Sequence, residues 1–187
     1  NDRRPILDKL QTIENRDAIL DLSHPTHPKA AEWPESDFII GNPPFLGSKM
    51  FRESGLSEDY IRTMYGAFDI PKTSDLCCYW FEMARNAIAK LPSVSAGLLA
   101  TQGIRGGSNR AVLERIKDLS DIFYAWADRA WVLDGAAVRV SIIGFGSNPT
   151  GLHMLDGRAV STINSDLSSD ADVTGAKPLL ENAHVSS

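Results

Sequence analysis

The chain has 187 residues, 43% of them hydrophobic and 23% charged, which allows one domain with a sizeable core and excludes a disordered tail. Its formal net charge of -5 lacks the basic excess of most nucleic-acid-binding proteins, although a local basic patch would still serve, because phosphate attraction depends on where charge sits. The only two cysteines, Cys77 and Cys78, are neighbours with poor disulfide geometry and read as reduced core residues of a cytoplasmic protein, and no run reaches the roughly 18 to 20 apolar residues of a membrane helix.

In chain order, residues 12 to 20 (TIENRDAIL) read as a short strand followed by a turn, and Ser23 to Glu35, with Pro25, Pro28 and Pro34, as a connection. Phe38 to Ile40 is a β-branched and aromatic run that stops at Gly41, as a buried strand would. Ser57 followed by Glu58 and Asp59 is a helix start, its acids placed to suit the helix dipole. Thr73 or Ser74 with Asp75 starts a second helix over Leu76 to Lys90, whose apolar residues recur at helical spacing. Ser95 to Thr101 is the next strand and Asn109 to Leu119 the next helix. Asp121 to Ala127 and Ala136 to Phe145 are two further strands, with a turn signal at Asp134-Gly135 and no helical pattern between them. This order predicts an α/β sheet that ends in an antiparallel hairpin. Beyond Gly146 the chain turns polar, which places a boundary near Ser147, between a domain over 1–146 and a C-terminal segment over 147–187.

The stretch Asp37 to Gly47, DFIIGNPPFLG, carries the chemistry. Open α/β sheets hold ligands at the carboxyl ends of their strands, which is where Asn42-Pro43-Pro44-Phe45 falls. An amide side chain can accept a hydrogen bond from an exocyclic amino group. Prolines cannot donate a backbone N–H, so Pro43 and Pro44 stiffen the loop and leave their carbonyls as acceptors. Two acceptors on one amino group would hold it and draw its lone pair out of conjugation, while Phe45 offers a face on which a base can stack. An isolated Asn-Pro is also a common turn former.

NPPF after an apolar strand resembles the catalytic motif of the amino-group DNA methyltransferases. The segments TSDLCCYWFEMA, AGLLATQGIRGG and DGAAVRVSIIGF follow in the order and approximate spacing of later family motifs. Together they resemble the methyltransferase portion of single-chain restriction-modification enzymes over roughly Thr12 to Phe145. The resemblance implies a Rossmann-like sheet dependent on S-adenosylmethionine, a catalytic role for Asn42, Pro43, Pro44 and Phe45, and a partner in double-stranded DNA with a flipped adenine methylated at N6. Asn15 to Ala18 is similar to the motif whose acid contacts the cofactor adenine, which would put Asp17 in that role; a turn or cap carboxylate is the other reading. The family's glycine-rich cofactor loop and ribose-binding acid belong upstream of Asn1, and its target-recognition domain downstream. The resemblance therefore implies the second half of an incomplete sheet, inactive by itself, with residues 147–187 leading toward the missing domain. An unpaired strand ending at Ile40 would then favour self-association.

Asp75 reads as a first-turn helix acid, and Arg105 and Arg110 as solvated surface rather than phosphate contacts. His24, His27, His153 and His184 have no metal-ligand spacing, so no metal is assigned. The alternative function is a non-catalytic DNA-binding or assembly module with the same fold; within the enzyme class, cytosine N4 or a protein glutamine amide is the other acceptor.

Overall fold

The computed structural model describes residues 13–23, 29–133, 136–148 and 150–169. The turn signal at Asp134-Gly135, the residues His24, His27 and His184, and the chain after 169 lie outside the described residues.

Instead of the strand expected from Thr12, the chain from Ile13 to Ile19 is irregular, and pairing begins only at β1 (Leu20–Asp21), antiparallel to β2 (Lys29–Ala30). The cause is local: Asp17 Oδ1 accepts from the Ile19 and Leu20 N–H groups at 2.9 and 2.8 Å, a turn that competes with extension. The remaining strands form one six-stranded sheet in the order β3 (Phe38–Gly41), β4 (Ser95–Thr101), β6 (Ala136–Gly146), β5 (Asp121–Leu133), β7 (His153–Leu155) and β8 (Arg158–Val160). β3 runs parallel to β4, while β6 is antiparallel to both β4 and β5. This is the mixed α/β sheet with a closing antiparallel pair that the element order predicts.

Among the described residues, three α-helices accompany it. α1 (Glu58–Ala67) begins where Ser57 Oγ accepts from the Tyr60 N–H at 3.1 Å, as its acidic first turn foretells. α2 (Cys77–Lys90) and α3 (Arg110–Leu119) cover one face of the sheet. Strand alternation does the rest: Ala96, Leu98 and Ala100 of β4 are buried in that layer with Cys78, Phe81 and Ile88 of α2 and Leu113 and Ile116 of α3. Phe81 stacks on Phe145 of β6 with ring centroids 5.6 Å apart. The two helices are also tied by charge, because the buried Glu82 carboxylate is held by both Arg85 and Arg115.

β6 ends where Gly146 takes φ +108°, and a Cβ there would meet the Val94 carbonyl oxygen at 2.5 Å, so glycine is required. Past Ser147, β7 pairs in parallel with β5 and β8 pairs with β7, two strands too short to leave a periodic signal. Asp121 anchors this addition, bound by Lys117, His153 and Asn148. Burial pushes its carboxyl up, but those hydrogen bonds outweigh it and hold the group below the usual carboxylate range. No helix among the described residues is long and apolar enough to cross a membrane.

Candidate functional site

Because β3 and β4 are parallel, their carboxyl ends share one edge of the sheet. Asn42 to Phe45 leaves β3 there, beside the turn of Gln102–Arg105 that follows β4. Asn42 and Pro44 are exposed, Pro43 is buried and Phe45 is half-buried. The Pro44 carbonyl accepts from the Leu46 N–H at 3.2 Å. Among the described residues, neither the Asn42 amide nor the Pro43 carbonyl has a hydrogen-bond partner, and the exposed Asn42 amide is open to a ligand or to water.

Next to them, along the outer edge of β3, lies a hollow of about 440 Å³. Asn42, Pro43, Phe38 and Ile40 line it together with Trp33, Trp80 and Ala18. Trp33 is fixed in place, its Nε1–H donating to the Ala18 carbonyl at 2.7 Å. These are walls for flat or apolar groups with a polar amide at the rim, the usual make-up of a small-molecule site.

Asp17 stands close by in sequence to Ala18, but its carboxylate is already engaged. Beyond the two backbone N–H groups on Oδ1, Oδ2 accepts from the Tyr60 hydroxyl at 2.8 Å. That phenol is held well above its usual range by burial first and by Asp17 second. Asp17 thus has a complete structural account as the residue that joins the β1 turn to α1.

Two arginines and one acid sit differently from their sequence readings. Arg110 is turned inward, with Nε on Ser165 Oγ at 3.1 Å and on Glu114 Oε1 at 3.0 Å. Arg105 is half-buried and, after the hydrogen bond from Arg139, helps to hold the Asp128 carboxyl below the usual range. Asp75 does precede α2, but its carboxylate turns to the loop after Phe45, where Oδ1 accepts from the Ser48 N–H. Trp33 and Trp80 were missed as walls of the hollow; a tryptophan inside the proline-containing connection at Trp33-Pro34 was the available signal for the first.

The model of the MmeI DNA-methyltransferase domain matches residues 5–155. The chain belongs to this family. Among solved structures, the type IIL restriction-modification enzyme MmeI in complex with DNA is similar in fold, with a TM-score of 0.56 at 23% identity, covering 73% of this chain and 20% of that one. The chain therefore spans about a fifth of the length of that relative. No curated protein matches it. For a member of the family, Asn42 to Phe45 at the β3 edge is the segment whose chemistry most needs an explanation.

Proposed function

We propose that the chain is the part of a DNA methyltransferase that holds the target base, transferring a methyl group from S-adenosylmethionine to adenine N6 within a restriction-modification enzyme. The observation that carries this reading is the pair of unengaged acceptors, the Asn42 amide and the Pro43 carbonyl, at the rim of an aromatic-walled hollow. Family membership and the DNA-bound state of the MmeI relative support it.

The hollow suits the flat and apolar parts of the cofactor, since Trp33, Trp80, Phe38 and Ile40 offer aromatic and aliphatic surface. When bound, the cofactor supplies an electrophilic methyl on a sulfonium. The chain's own residues prepare the acceptor. A flipped adenine would present its amino group to Asn42 Oδ1 and the Pro43 carbonyl, which draw the nitrogen lone pair out of the ring and orient it for in-line attack. As the new N–C bond forms and the S–C bond breaks, positive charge grows on the nitrogen, and both acceptors stabilise it more in the transition state than before. The surplus proton then leaves to water. Phe45 provides the stacking face that compensates for the base's lost neighbours. The stiffness of Pro43 and Pro44 keeps the acceptors in register without an ordering cost at the moment of reaction.

The test is radiolabelled methyl transfer to unmethylated DNA by the natural full-length protein and its Asn42→Ala variant, followed by digestion to nucleosides. Label in N6-methyladenine that falls by roughly 100- to 1,000-fold in the variant is the expected result, the size seen when one transition-state hydrogen-bonding group is removed. Label in N4-methylcytosine would move the reaction to the other base, and undiminished transfer by Asn42→Ala would remove the residue from the mechanism.

A further inference from the structure

Asn42 to Phe45 has no strand neighbour of its own, and its prolines donate nothing, so its position depends on what holds the chain just after it. Three segments meet there: Leu46 to Ser48, Thr73 to Leu76 before α2, and Ser108-Asn109 before α3. The backbone ties them first, with the Leu76 N–H donating to the Leu46 carbonyl at 2.8 Å. Side chains add to this: Ser48 Oγ and Ser108 Oγ both donate to the Thr73 carbonyl at 2.9 and 3.0 Å, and Ser74 Oγ donates to the Ser108 carbonyl at 3.1 Å.

At the centre is a reciprocal pair. The Asp75 backbone N–H donates to Asn109 Oδ1 at 2.7 Å, and Asn109 Nδ2 donates back to Asp75 Oδ2 at 2.8 Å. The second carboxylate oxygen, Oδ1, takes the Ser48 N–H at 3.2 Å. Each oxygen of Asp75 thus serves a different segment, one facing α3 and the other facing the loop.

We infer that Asp75 and Asn109 form a clamp that sets the height and angle of the Asn42–Phe45 loop over the hollow, making Asp75 a positioning residue for methyl transfer. This rests on the function proposed above. A carboxylate needed only for the α2 dipole would turn toward the free N–H groups of that helix and would not need Asn109 at all. Here its oxygens bond outside α2, and its own backbone N–H goes to Asn109. A loop displaced by about 1 Å loses on the order of 100-fold in rate, so a clamp several residues from Asn42 is enough to matter.

The donor and acceptor pattern gives a decisive test. Asp75→Asn puts an amino group where one oxygen had accepted, so one of the two side-chain bonds is lost. Asn109→Asp sets an oxygen against the Asp75 carboxylate. The double variant restores every bond with the polarity of the pair reversed: the new amide donates to the new carboxylate, and its oxygen still accepts from Ser48. In the natural full-length protein each single change should lower kcat about 10- to 100-fold with KM for the methyl donor within about twofold. The double variant should return to within about threefold of the unaltered enzyme, a strong departure from additivity. Amide hydrogen exchange should quicken at Leu46 and Ser48 in the single variants and slow again in the double.

Single variants with unaltered kcat, a rise in KM in place of the fall in kcat, or a double variant no better than the worse single would each overturn the clamp. If the unaltered protein transfers no methyl group, the proposed function fails rather than the clamp. The exchange rates at Leu46 and Ser48 then decide whether the pair holds the loop.

Discussion

On the face of the sheet under α2 and α3, Ala96, Leu98, Ala100, Ile143 and Phe145 are at most 3% exposed; on the opposite face, the β3 residues Phe38 and Ile40 are 71% and 86% exposed. The ladder explains the split. Ile39 pairs with Ala96 and points into the helix layer, whereas Ile40 pairs with Gly97, which pairs in turn with Gly144, so two glycines leave its row without side chains. The same four-residue strand therefore contributes to the core through Ile39 and offers an apolar surface through its neighbours. What holds the fold and what awaits a partner are separated by one residue of register.

The largest expected effect lies on the covered face. Phe81→Ala removes a fully buried ring stacked on Phe145 and should destabilise the chain by about 3–5 kcal/mol in urea unfolding. A loss under about 1 kcal/mol would mean that the helix layer packs loosely and that the contrast between the faces is weaker than burial suggests.

The open face should respond in the opposite way. Among the described residues β3 has a strand neighbour on one side only, and an apolar edge of this kind invites pairing with a second copy. We propose that the isolated chain self-associates through β3, and that the double change Phe38→Lys and Ile40→Lys gives a monomer in small-angle scattering while altering stability by no more than about 0.5 kcal/mol. A monomeric profile for the unaltered chain would sink this proposal.

A gain in stability rather than a loss is expected at Tyr79, whose ring is buried against Phe68 while its hydroxyl has no hydrogen-bond partner among the described residues. Burial first of all raises that phenol far above its ordinary range, which keeps it neutral. An unmet buried hydroxyl costs about 1–3 kcal/mol, so Tyr79→Phe should raise the melting temperature rather than lower it. A lower melting temperature would reveal a partner for the hydroxyl and make that site less apolar than its neighbours imply.

Much of this was legible in the residue order. Ser57 announced α1 because its hydroxyl can only reach an N–H three residues on if a helix turn follows. β4 and α3 were legible from alternation and 3.6-residue spacing, since each pattern buries one face only in its own conformation. Asp17 was harder: a carboxylate can cap a turn or touch a ligand, and the arrival of Tyr60 on its second oxygen is visible only in the fold. Asp75 looked like a helix acid because its first neighbours in sequence are helical, while its bonding partners lie 27 and 34 residues away.

By itself the sequence determined the order of the main helices and strands from Phe38 to Phe145, the antiparallel closing pair, and the Asn42–Phe45 segment at a strand end, because these follow from periodicity, capping and proline chemistry within a few residues. Only the tertiary structure decided that β7 and β8 extend the sheet past Ser147, that Arg110 turns inward, that Trp33 and Trp80 wall the hollow, and that Asp75 and Asn109 tie the loop. Those outcomes depend on hydrogen bonds and contacts between residues far apart in the chain, and a linear pattern does not record which distant groups will share them.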